Sequence, residues 1–249
     1  MLKYGFMCTI ITISNQKGGV AKTTSTAAIA ADLAKREKRV LMIDLDSQGS
    51  LSSTFLSVIP HDTIADTLNE GSYPIVNIRQ NLDIIPCNTD ISAIAQEMRE
   101  PADRLILRKA LNKIKNKYDF IIIDCPPAFN YITCNAYTAA DYVLVPCQTS
   151  KSSLEAISLV ADACYSAATP TRIDGIFFTM YDPRPKINRR MEKIIRDKYP
   201  EVVFNTPIRK SVKVEEALED HNDIINYEPN SNPAKDYISL VDEILTRIK

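Results

Sequence analysis

A lysine- and glycine-bearing run between two hydrophobic segments carries the side chains best suited to chemistry in this chain. The run is Lys17-Gly18-Gly19-Val20-Ala21-Lys22-Thr23-Thr24. The hydrophobic pattern predicts a buried strand before it, over residues 9–14, and a helix after it, over residues 25–36. In such a unit, backbone N–H groups and the helix N-terminus face an anion, a lysine neutralises phosphate charge, and a hydroxyl reaches Mg²⁺. The run therefore predicts a phosphate-binding loop.

The loop departs from the usual phosphate-loop pattern at two positions. That pattern has glycines where this chain has Gln16 and Ala21. An alanine with positive φ would cost about 1–2 kcal/mol. At the start of a helix, alanine is instead favourable. We therefore expect Ala21 to have a negative φ.

Acidic residues stand at the ends of two predicted strands. Asp124 ends the run Ile121-Ile122-Ile123-Asp124, where its carboxylate could hold Mg²⁺. Asp44 and Asp46 end the strand predicted over residues 39–46. Because side chains alternate along a strand, we expect both carboxylates to face the same side, where they could position a water and support a metal.

Strands and helices alternate along the chain. Further strands are predicted over residues 82–86, 118–127, 142–148, 173–182 and 202–207, and further helices over 101–117 and 152–166. Continuous Val/Ile/Leu runs of this kind are typical of parallel strands buried on both faces. The expected fold is α/β, a single domain over residues 1–249 with a mostly parallel twisted sheet and helices on both faces. Ligands of such sheets bind at the carboxyl ends of the strands.

Composition limits the function classes. The net charge of −1 leaves nucleic-acid binding to a local patch. Six scattered cysteines without a C-x-x-C pair predict buried, reduced thiols. The chain has neither an apolar stretch of about 18 residues nor a signal peptide, so we expect a cytoplasmic protein without membrane spans. Met7 is an alternative start.

The last predicted helix, over residues 234–249, is amphipathic. Its polar face mixes acidic and basic side chains, whereas a helix on a membrane surface would have a basic polar face. We therefore expect this helix to dock on the core.

A concentrated basic segment lies between residues 184 and 198, with Glu192 and Asp197 as its only acidic residues. Its cations are Arg184, Lys186, Arg189, Arg190, Lys193, Arg196 and Lys198, and a second group follows with Arg209, Lys210 and Lys213. Such a run is either a solvated helix face or a surface for DNA phosphates, which lysine and arginine bind without regard to sequence.

The loop with its additional front lysine, Lys17, resembles the deviant Walker A loop K-G-G-x-x-K-[ST]-[ST] of the ParA/MinD family of ATPases. The same family carries D-x-D-x-Q-G, present here as Asp44-Leu45-Asp46-Ser47-Gln48-Gly49, and D-C-P-P, present as Asp124-Cys125-Pro126-Pro127. Later family motifs are similar to Val145-Pro146-Cys147-Gln148 and Thr179-Met180-Tyr181-Asp182. The resemblance extends from about residue 9 to the C-terminus and is greatest to the ParA/Soj partition branch.

This resemblance implies ATP and Mg²⁺ as cofactors, and specific residue roles. The whole loop, including Gly18, Gly19, Val20 and Ala21, would bind the phosphates. The implied individual roles are Lys22 on the β- and γ-phosphates, Thr24 on the α-phosphate, Thr23 and Asp124 on Mg²⁺, Asp46 on the attacking water, Asp44 in support, Lys17 on the ATP of a second protomer, and Thr179, Met180 and Pro207 near the base.

The resemblance also implies a function. The family's ATP-bound homodimer would bind double-stranded DNA non-specifically and partition a plasmid, mobile element or chromosome. A ParB-like centromere-binding partner would stimulate slow hydrolysis. The implied DNA contacts are Arg184, Lys186, Arg189, Arg190, Lys193, Arg196, Lys210 and Lys213. Because only about eight residues precede the first strand, we expect no N-terminal helix-turn-helix domain.

Four alternatives share the same fold. They are a MinD-like membrane-associated ATPase, a cargo-positioning ATPase that uses a protein matrix, an iron–sulfur carrier and a metabolic ligase. The mixed charges of residues 234–249 disfavour the first, and the lack of C-x-x-C disfavours the iron–sulfur carrier.

Overall fold

The computed structural model describes residues 8–248 as a seven-stranded sheet surrounded by helices. The strands are β1 Thr9–Ile13, β2 Val40–Asp44, β3 Val76–Arg79, β4 Leu82–Ile85, β5 Phe120–Asp124, β6 Tyr142–Cys147 and β7 Gly175–Phe178. The α-helices are α1 Lys22–Lys35, α2 Ser50–Phe55, α3 Ile64–Asn69, α4 Ile91–Glu97, α5 Ile106–Ile114, α6 Tyr131–Ala139, α7 Lys151–Tyr165, α8 Lys186–Lys198, α9 Lys213–Glu219, α10 Ile224–Tyr227 and α11 Asn232–Arg247.

The strand order across the sheet is β3-β4-β2-β5-β1-β6-β7. Only β3 runs antiparallel to its neighbour, and all other pairings in the sheet are parallel. The central strands are buried along nearly their whole length, because helices cover both faces. The prediction of an α/β fold with a mostly parallel sheet is confirmed. The order also puts the end of β1 between the ends of β5 and β6.

Two layers of helices complete the core. On one face, α1 packs with α11 through buried side chains that include Leu33, Tyr237 and Leu240. On the other face, α5 and α6 pack on the central strands through residues that include Leu111 and Ile132. The prediction that the C-terminal helix docks on the core is confirmed for Asn232–Arg247, while Lys249 lies outside the described residues.

Several predicted strands are shorter in the structure. The strand predicted over residues 118–127 spans only Phe120–Asp124, and two others differ for identifiable reasons. The strand predicted over residues 173–182 ends at Phe178, because Met180 adopts a left-handed conformation with φ 49°. The strand predicted over 202–207 was wrong as a regular element, since only Val203 pairs, in an isolated bridge with Ile176. The carboxylate of Glu243 accepts the N–H groups that follow, at 205 and 206, and so replaces a neighbouring strand.

The helix predicted over residues 101–117 is interrupted. It consists of a 3₁₀ turn at Pro101–Leu105, then α5, then a 3₁₀ turn at Lys115–Lys117. Asn135, on α6, causes the first break: its amide oxygen accepts the N–H of Leu107, and its amide nitrogen donates to the carbonyl of Asp103. A tertiary contact therefore overrides the local helical pattern.

The remaining predictions from composition can be compared with the structure over residues 8–248. All six cysteines are free, and all except Cys8 are buried, as expected. No helix in this part of the chain is long and apolar enough to cross a membrane. Met7, the alternative start, lies outside the described residues.

Candidate functional site

The predicted phosphate loop lies at the carboxyl edge of the sheet. The N–H of Ser14 donates to the carbonyl of Leu144 on β6 (3.0 Å), and the N–H of Cys125 donates to the carbonyl of Ile13 (3.2 Å). The chain therefore leaves β1 in a crevice between β5 and β6 and turns into α1 at Lys22. This is the position at which open parallel sheets bind ligands.

Ala21 contradicts the expected negative φ. Its φ is 63° and its ψ is 36°, a left-handed conformation that costs alanine about 1–2 kcal/mol. Gly19 is also left-handed, with φ 68°. Left-handed residues within a turn direct backbone N–H groups toward one point, where they form an anion-binding concavity. Ala21 is the residue that immediately precedes the helix. The helix α1 therefore begins at Lys22, three residues before the predicted start.

Side-chain donors hold the carbonyl groups of the loop. The hydrogen bonds run from Lys22 Nζ to Lys17 (3.3 Å), from Gln148 Nε2 to Gly19 (3.0 Å), from Thr179 Oγ1 to Val20 (3.0 Å) and from Ser25 Oγ to Ala21 (2.6 Å). In a trans peptide the C=O and N–H point in opposite directions. Four carbonyls turned toward the protein therefore leave the peptide N–H groups on the other side for an anion.

Two of these donors, Thr179 and Gln148, have positions in the site that differ from the roles predicted from the sequence. Thr179 is 1% exposed and its hydroxyl donates to the carbonyl of Val20, so its side chain holds the loop, and its contact with the base stays a prediction. Gln148 was not predicted to take part, although it ends the Val145-Pro146-Cys147-Gln148 segment that the sequence singles out. Its amide also lies 3.2 Å from the sulfur of Met180.

The other two predicted base contacts are accessible. Met180 is 40% exposed beside Gln148, and Pro207 is partly exposed on the neighbouring segment. The hydrogen bond from the N–H of Tyr181 to the carbonyl of Ile208 (2.8 Å) holds these two segments together. Both residues thus stay candidates for the base.

Lys22 is a nearly buried cation at the start of α1. Its side chain is 8% exposed, and its only hydrogen bond among the described residues is to the Lys17 carbonyl. Burial lowers the pKa of Lys22, while the nearby carboxylates of Asp124 and Asp46 oppose this effect. An additional anion would stabilise this ammonium group, which is the charge that a phosphate supplies.

Asp124 and Thr23 offer oxygen ligands for Mg²⁺. Thr23 Oγ1 donates to the carboxylate of Asp124 (2.7 Å), and Asp124 is completely buried. Burial, and then the neighbouring Asp44, raise the pKa of Asp124. The donor set fits Mg²⁺, which takes one or two protein oxygens together with phosphates and water. Within residues 8–248 no group of three His, Cys, Asp or Glu residues could hold a metal by itself.

Asp44 and Asp46 are not equivalent, which corrects the expectation that both face one side of a strand. The strand β2 ends at Asp44, so the alternation does not extend to Asp46. The buried Asp44 carboxylate accepts the N–H of Asp46 (3.0 Å) and both the N–H and the hydroxyl of Ser52 (2.8 Å each). Burial is the main reason that the pKa of Asp44 is raised to about 6. Asp44 thus fixes the loop that presents Asp46.

Asp46 is partly exposed and lines a cavity of about 240 Å³. The cavity lies between the 45–48 segment, α4 and the loop that follows β5, which includes Pro126 and Pro127. One carboxylate oxygen of Asp46 accepts the N–H of Gln48 (3.0 Å). The structure thus brings Asp46 to the same edge as Lys22 and Asp124.

Lys17 reaches across the loop to the start of α7. Its ammonium group donates to the hydroxyls of Ser150 (3.2 Å) and Ser152 (2.9 Å). The contact involves no carboxylate, and it places a cation at a helix N-terminus, where the macrodipole disfavours positive charge. Gly18, Gly19 and Thr24 are accessible beside it, whereas Val20 is 1% exposed.

The basic segment forms α8 and its flanks, and half of the eight predicted DNA contacts, including Lys213 on α9, are paired with acids. The ion pairs are Arg184–Asp182 (2.7 Å), Lys193–Asp197 (2.9 Å), Arg196–Glu192 (2.9 Å) and Lys213–Glu216 (2.7 Å). Arg189 donates to the carbonyl of Pro183 (2.7 Å). Within residues 8–248, the side chains of Lys186, Arg190 and Lys210 have neither an ion pair nor a hydrogen bond.

Arg196 and Arg209 have structural roles. The Arg196 guanidinium lies 5.2 Å from the centre of the Phe178 ring and donates to the carbonyl of Phe204. Arg209 forms a two-oxygen ion pair with Asp236 on α11. A bridge between Tyr181 and Arg209 brings the start of α8 close to Lys210, so the two basic groups of the sequence adjoin.

The comparisons with known proteins agree with this arrangement. An AAA domain family model, AAA_31, matches residues 8–168. The chromosome-partitioning ATPase Soj of Treponema pallidum is 36% identical over 94% of this chain and 95% of its own length. A Borrelia burgdorferi B31 structure, described as a plasmid partition protein bound to AMPPNP, is 26% identical with a TM-score of 0.85, covering 97% of this chain and 100% of that one.

A different activity appears among the structural matches. A cobyrinic acid a,c-diamide synthase from Mycobacterium smegmatis, with bound ATP analogue and magnesium, is 27% identical with a TM-score of 0.79 over 96% of this chain and 94% of that one. The fold and the phosphate loop define a P-loop ATPase class. Within that class, the chain belongs to the ParA/Soj family of partition ATPases.

Proposed function

We propose that this protein is an ATP-dependent dimeric switch that binds DNA non-specifically and partitions a plasmid, mobile element or chromosome. The observation that carries the proposal is the carboxyl edge of the sheet, where Lys17 and Lys22 of the loop lie together with Asp46 and Asp124. Residues 1–249 would act as one domain, with a single sheet connecting this edge to the basic surface. Relatives that carry out partition support this choice among the ATPases of this fold.

ATP and Mg²⁺ are the proposed cofactors. The N–H groups of residues 17–24 and the Lys22 ammonium would bind the phosphates, with Thr24 on the α-phosphate. Thr23 and Asp124 would hold Mg²⁺, which polarises the transferred phosphoryl group and neutralises its developing charge. Met180 and Pro207 would contact the base. The solved relatives with a bound ATP analogue support this assignment.

Asp46 is the proposed base for the attacking water. Its carboxylate would orient the water and accept its proton, while Asp44 keeps the supporting loop in place through Ser52. Asp46 suits this role better than Asp44 because it is partly exposed, whereas every oxygen of Asp44 already accepts a hydrogen bond from a backbone or side-chain donor.

Lys17 is the proposed contact between two protomers. When two ATP-bound copies meet, each Lys17 would leave Ser150 and Ser152 and bind the phosphates held by the partner subunit. The weak contact at the start of α7 supports such a release, since it contains hydroxyls and no carboxylate. A cation supplied in this way acts as a charge-stabilising finger in other phosphoryl-transfer enzymes.

DNA is the proposed matrix, which would make this a nucleoid-associated protein. Of the predicted contacts, Lys186, Arg190 and Lys210 are the best candidates, because their charges are not neutralised by neighbouring acids. The paired cations Arg184, Lys193 and Lys213 would contribute less, as would Arg189, and Arg196 would mainly stabilise the fold. A ParB-like partner would stimulate slow hydrolysis and release the protein from DNA.

A metabolic ligase is the second candidate, because the diamide synthase has the same fold. A ligase and a partition switch differ in how ATP hydrolysis and DNA binding depend on other molecules. A ligase would hydrolyse ATP only with its small-molecule substrate, whereas a partition switch would change its DNA affinity with the nucleotide.

Binding to a random-sequence DNA duplex across a salt series, with ATP or ADP, tests the proposal. We expect binding with ATP that weakens steeply with salt, because counterions are released from each contacted phosphate. A protein that hydrolyses ATP but binds DNA in neither state would contradict the DNA switch. Binding that is equal with ATP and ADP would also contradict it.

A further inference from the structure

A chain of hydrogen bonds connects the phosphate loop to Tyr237, a residue that has no role in the proposed function. The carbonyl of Ala21 accepts both the N–H of Ser25 (3.0 Å) and its hydroxyl (2.6 Å). The same Ser25 oxygen lies 2.9 Å from the hydroxyl oxygen of Tyr237, on α11. This contact joins residues 212 positions apart in the sequence.

The direction of the second bond follows from the first. A serine hydroxyl has one hydrogen, and Ser25 gives it to Ala21. Tyr237 must therefore donate to Ser25. Ser25 is completely buried and Tyr237 is 1% exposed, so water does not compete for either hydroxyl.

Neighbouring contacts on α11 keep Tyr237 in a fixed position. Asp236 accepts three hydrogen bonds from the Arg209 guanidinium and one from the Arg209 N–H. About two turns further on, Glu243 holds the 205–206 segment. The ring of Tyr237 itself is buried in the hydrophobic core that α1 and α11 share. The phenol of Tyr237 is thus held by α11 and contacts the loop through Ser25.

The backbone at Ala21 explains why such a contact is needed. A glycine would adopt the left-handed conformation without steric cost, but alanine does not. The strained residue persists only if its surroundings hold it. Of the loop carbonyls, that of Ala21 is the one held by a hydroxyl that a second buried hydroxyl orients.

We propose that Tyr237 is a positioning residue for ATP binding, which acts through Ser25 to hold Ala21 in the left-handed conformation that shapes the phosphate loop. The inference rests on the proposed use of this loop for ATP. Without the phenol, Ser25 can rotate away from Ala21, and the loop then spends part of its time in conformations that do not bind phosphate. ATP affinity falls in proportion to that loss of the competent state.

A double-mutant cycle tests this mechanism by calorimetric titration of the full chain with Mg²⁺–ATP. Tyr237→Phe should raise the Kd by about 5- to 30-fold, the factor that corresponds to the cost of a left-handed alanine. Ala21→Gly removes that cost. In the Ala21→Gly background, Tyr237→Phe should therefore change the Kd by less than about twofold, since glycine does not need the clamp.

Two further variants separate positioning from stability. Ser25→Ala removes the same link from the other side and should match Tyr237→Phe, which keeps the test valid if the tyrosine variant folds poorly. Tyr118→Phe removes another buried phenol that donates to Asp83 (2.9 Å), at the opposite edge of the sheet. It should lower the melting temperature while the Kd stays at the wild-type value.

The possible failures are distinguishable. A wild-type protein that does not bind ATP would overturn the proposed function, and the inference with it. A wild-type protein that binds ATP, with Tyr237→Phe and Ser25→Ala unchanged in Kd, would overturn the inference alone. An equal effect of Tyr237→Phe in the alanine and glycine backgrounds would also overturn it, because the tyrosine would then not act through Ala21.

Discussion

Charged side chains have opposite environments at the carboxyl edge of the sheet, which carries the phosphate loop, and on the basic surface formed by α8 and its flanks. At the edge, Lys22, Asp44 and Asp124 are buried, and their pKa values are displaced because water is excluded. On α8 and its flanks, cations are mostly exposed, and about half of the predicted contacts pair with nearby acids. Buried charges are sensitive to every change, whereas exposed pairs contribute about 0–1 kcal/mol. The comparison predicts large mutational effects at the edge and graded ones on the surface.

The largest expected effect comes from removing the buried cation. Lys22→Ala should abolish measurable ATP binding, because the phosphates would lose the buried ammonium group that neutralises their charge. Calorimetric titration with Mg²⁺–ATP measures this. Lys35→Ala, at the last turn of the same helix, is the control that should bind normally. An unchanged ATP affinity in Lys22→Ala would contradict the phosphate-loop assignment.

Lys17→Ala should separate nucleotide binding from the dimer-dependent step. The variant should still bind ATP, but its stimulated hydrolysis should fall by ~10³ or more, the range for charge-stabilising fingers in phosphoryl transfer. Ser152→Ala, which removes a contact of the same lysine within its own chain, should still dimerise with ATP. Sedimentation in the presence of ATP measures dimer formation and so distinguishes Lys17→Ala from Ser152→Ala. Normal dimerisation and hydrolysis by Lys17→Ala would count against the cross-protomer role.

Asp46→Ala should bind ATP normally and hydrolyse it slowly. Loss of a general base typically costs ~10²–10⁴ in rate. ATP should then hold the variant as a dimer, which light scattering would detect. Hydrolysis at the wild-type rate would mean that another residue positions the water.

On the surface, the prediction distinguishes free cations from paired ones. Replacing both Lys186 and Arg190 with alanine should lower the slope of log K against log salt by about 2, since each phosphate contact contributes about 0.9. Lys193→Ala is the matched control, because its charge is already paired with Asp197. Equal effects of the two changes would remove the distinction and favour a diffuse basic surface.

The last effect is on the stability of the nucleotide-free protein and concerns its pH dependence. Burial raises the pKa of Asp124 to about 8, above its ordinary value. A carboxyl group with a raised folded-state pKa stabilises the protein below its unfolded pKa, and this stabilisation is lost as the pH rises through the folded value. Without nucleotide, the free energy of unfolding of the wild-type protein should therefore fall between about pH 4 and pH 8. In Asp124→Asn this fall should be smaller, because the asparagine does not ionise. Urea unfolding at several pH values measures this, and parallel curves for the two proteins would contradict it.

The elements that depend on local pattern could be predicted without the structure. Continuous apolar runs predicted the parallel sheet, and the Lys-Gly-Gly spacing predicted which edge carries the phosphate loop. Both predictions depend on hydrophobic periodicity and on the few residue types suited to phosphate, which are visible in one dimension. The same holds for the amphipathic C-terminal helix, whose apolar stripe requires a partner.

The hydrogen-bond partners of individual backbone and side-chain groups depend on contacts that form only in the folded chain. Ala21 is left-handed because Ser25 and the distant Tyr237 hold it, against the preference of alanine. The 101–117 helix breaks because Asn135 takes its backbone groups. Asp44 is buried and Asp46 is not, because β2 ends between them and Ser52 takes the first carboxylate. Tyr237 and Asn135 lie far away in the sequence from the residues they hold, and Ser52 lies eight residues beyond Asp44, so only the folded chain brings the deciding groups together.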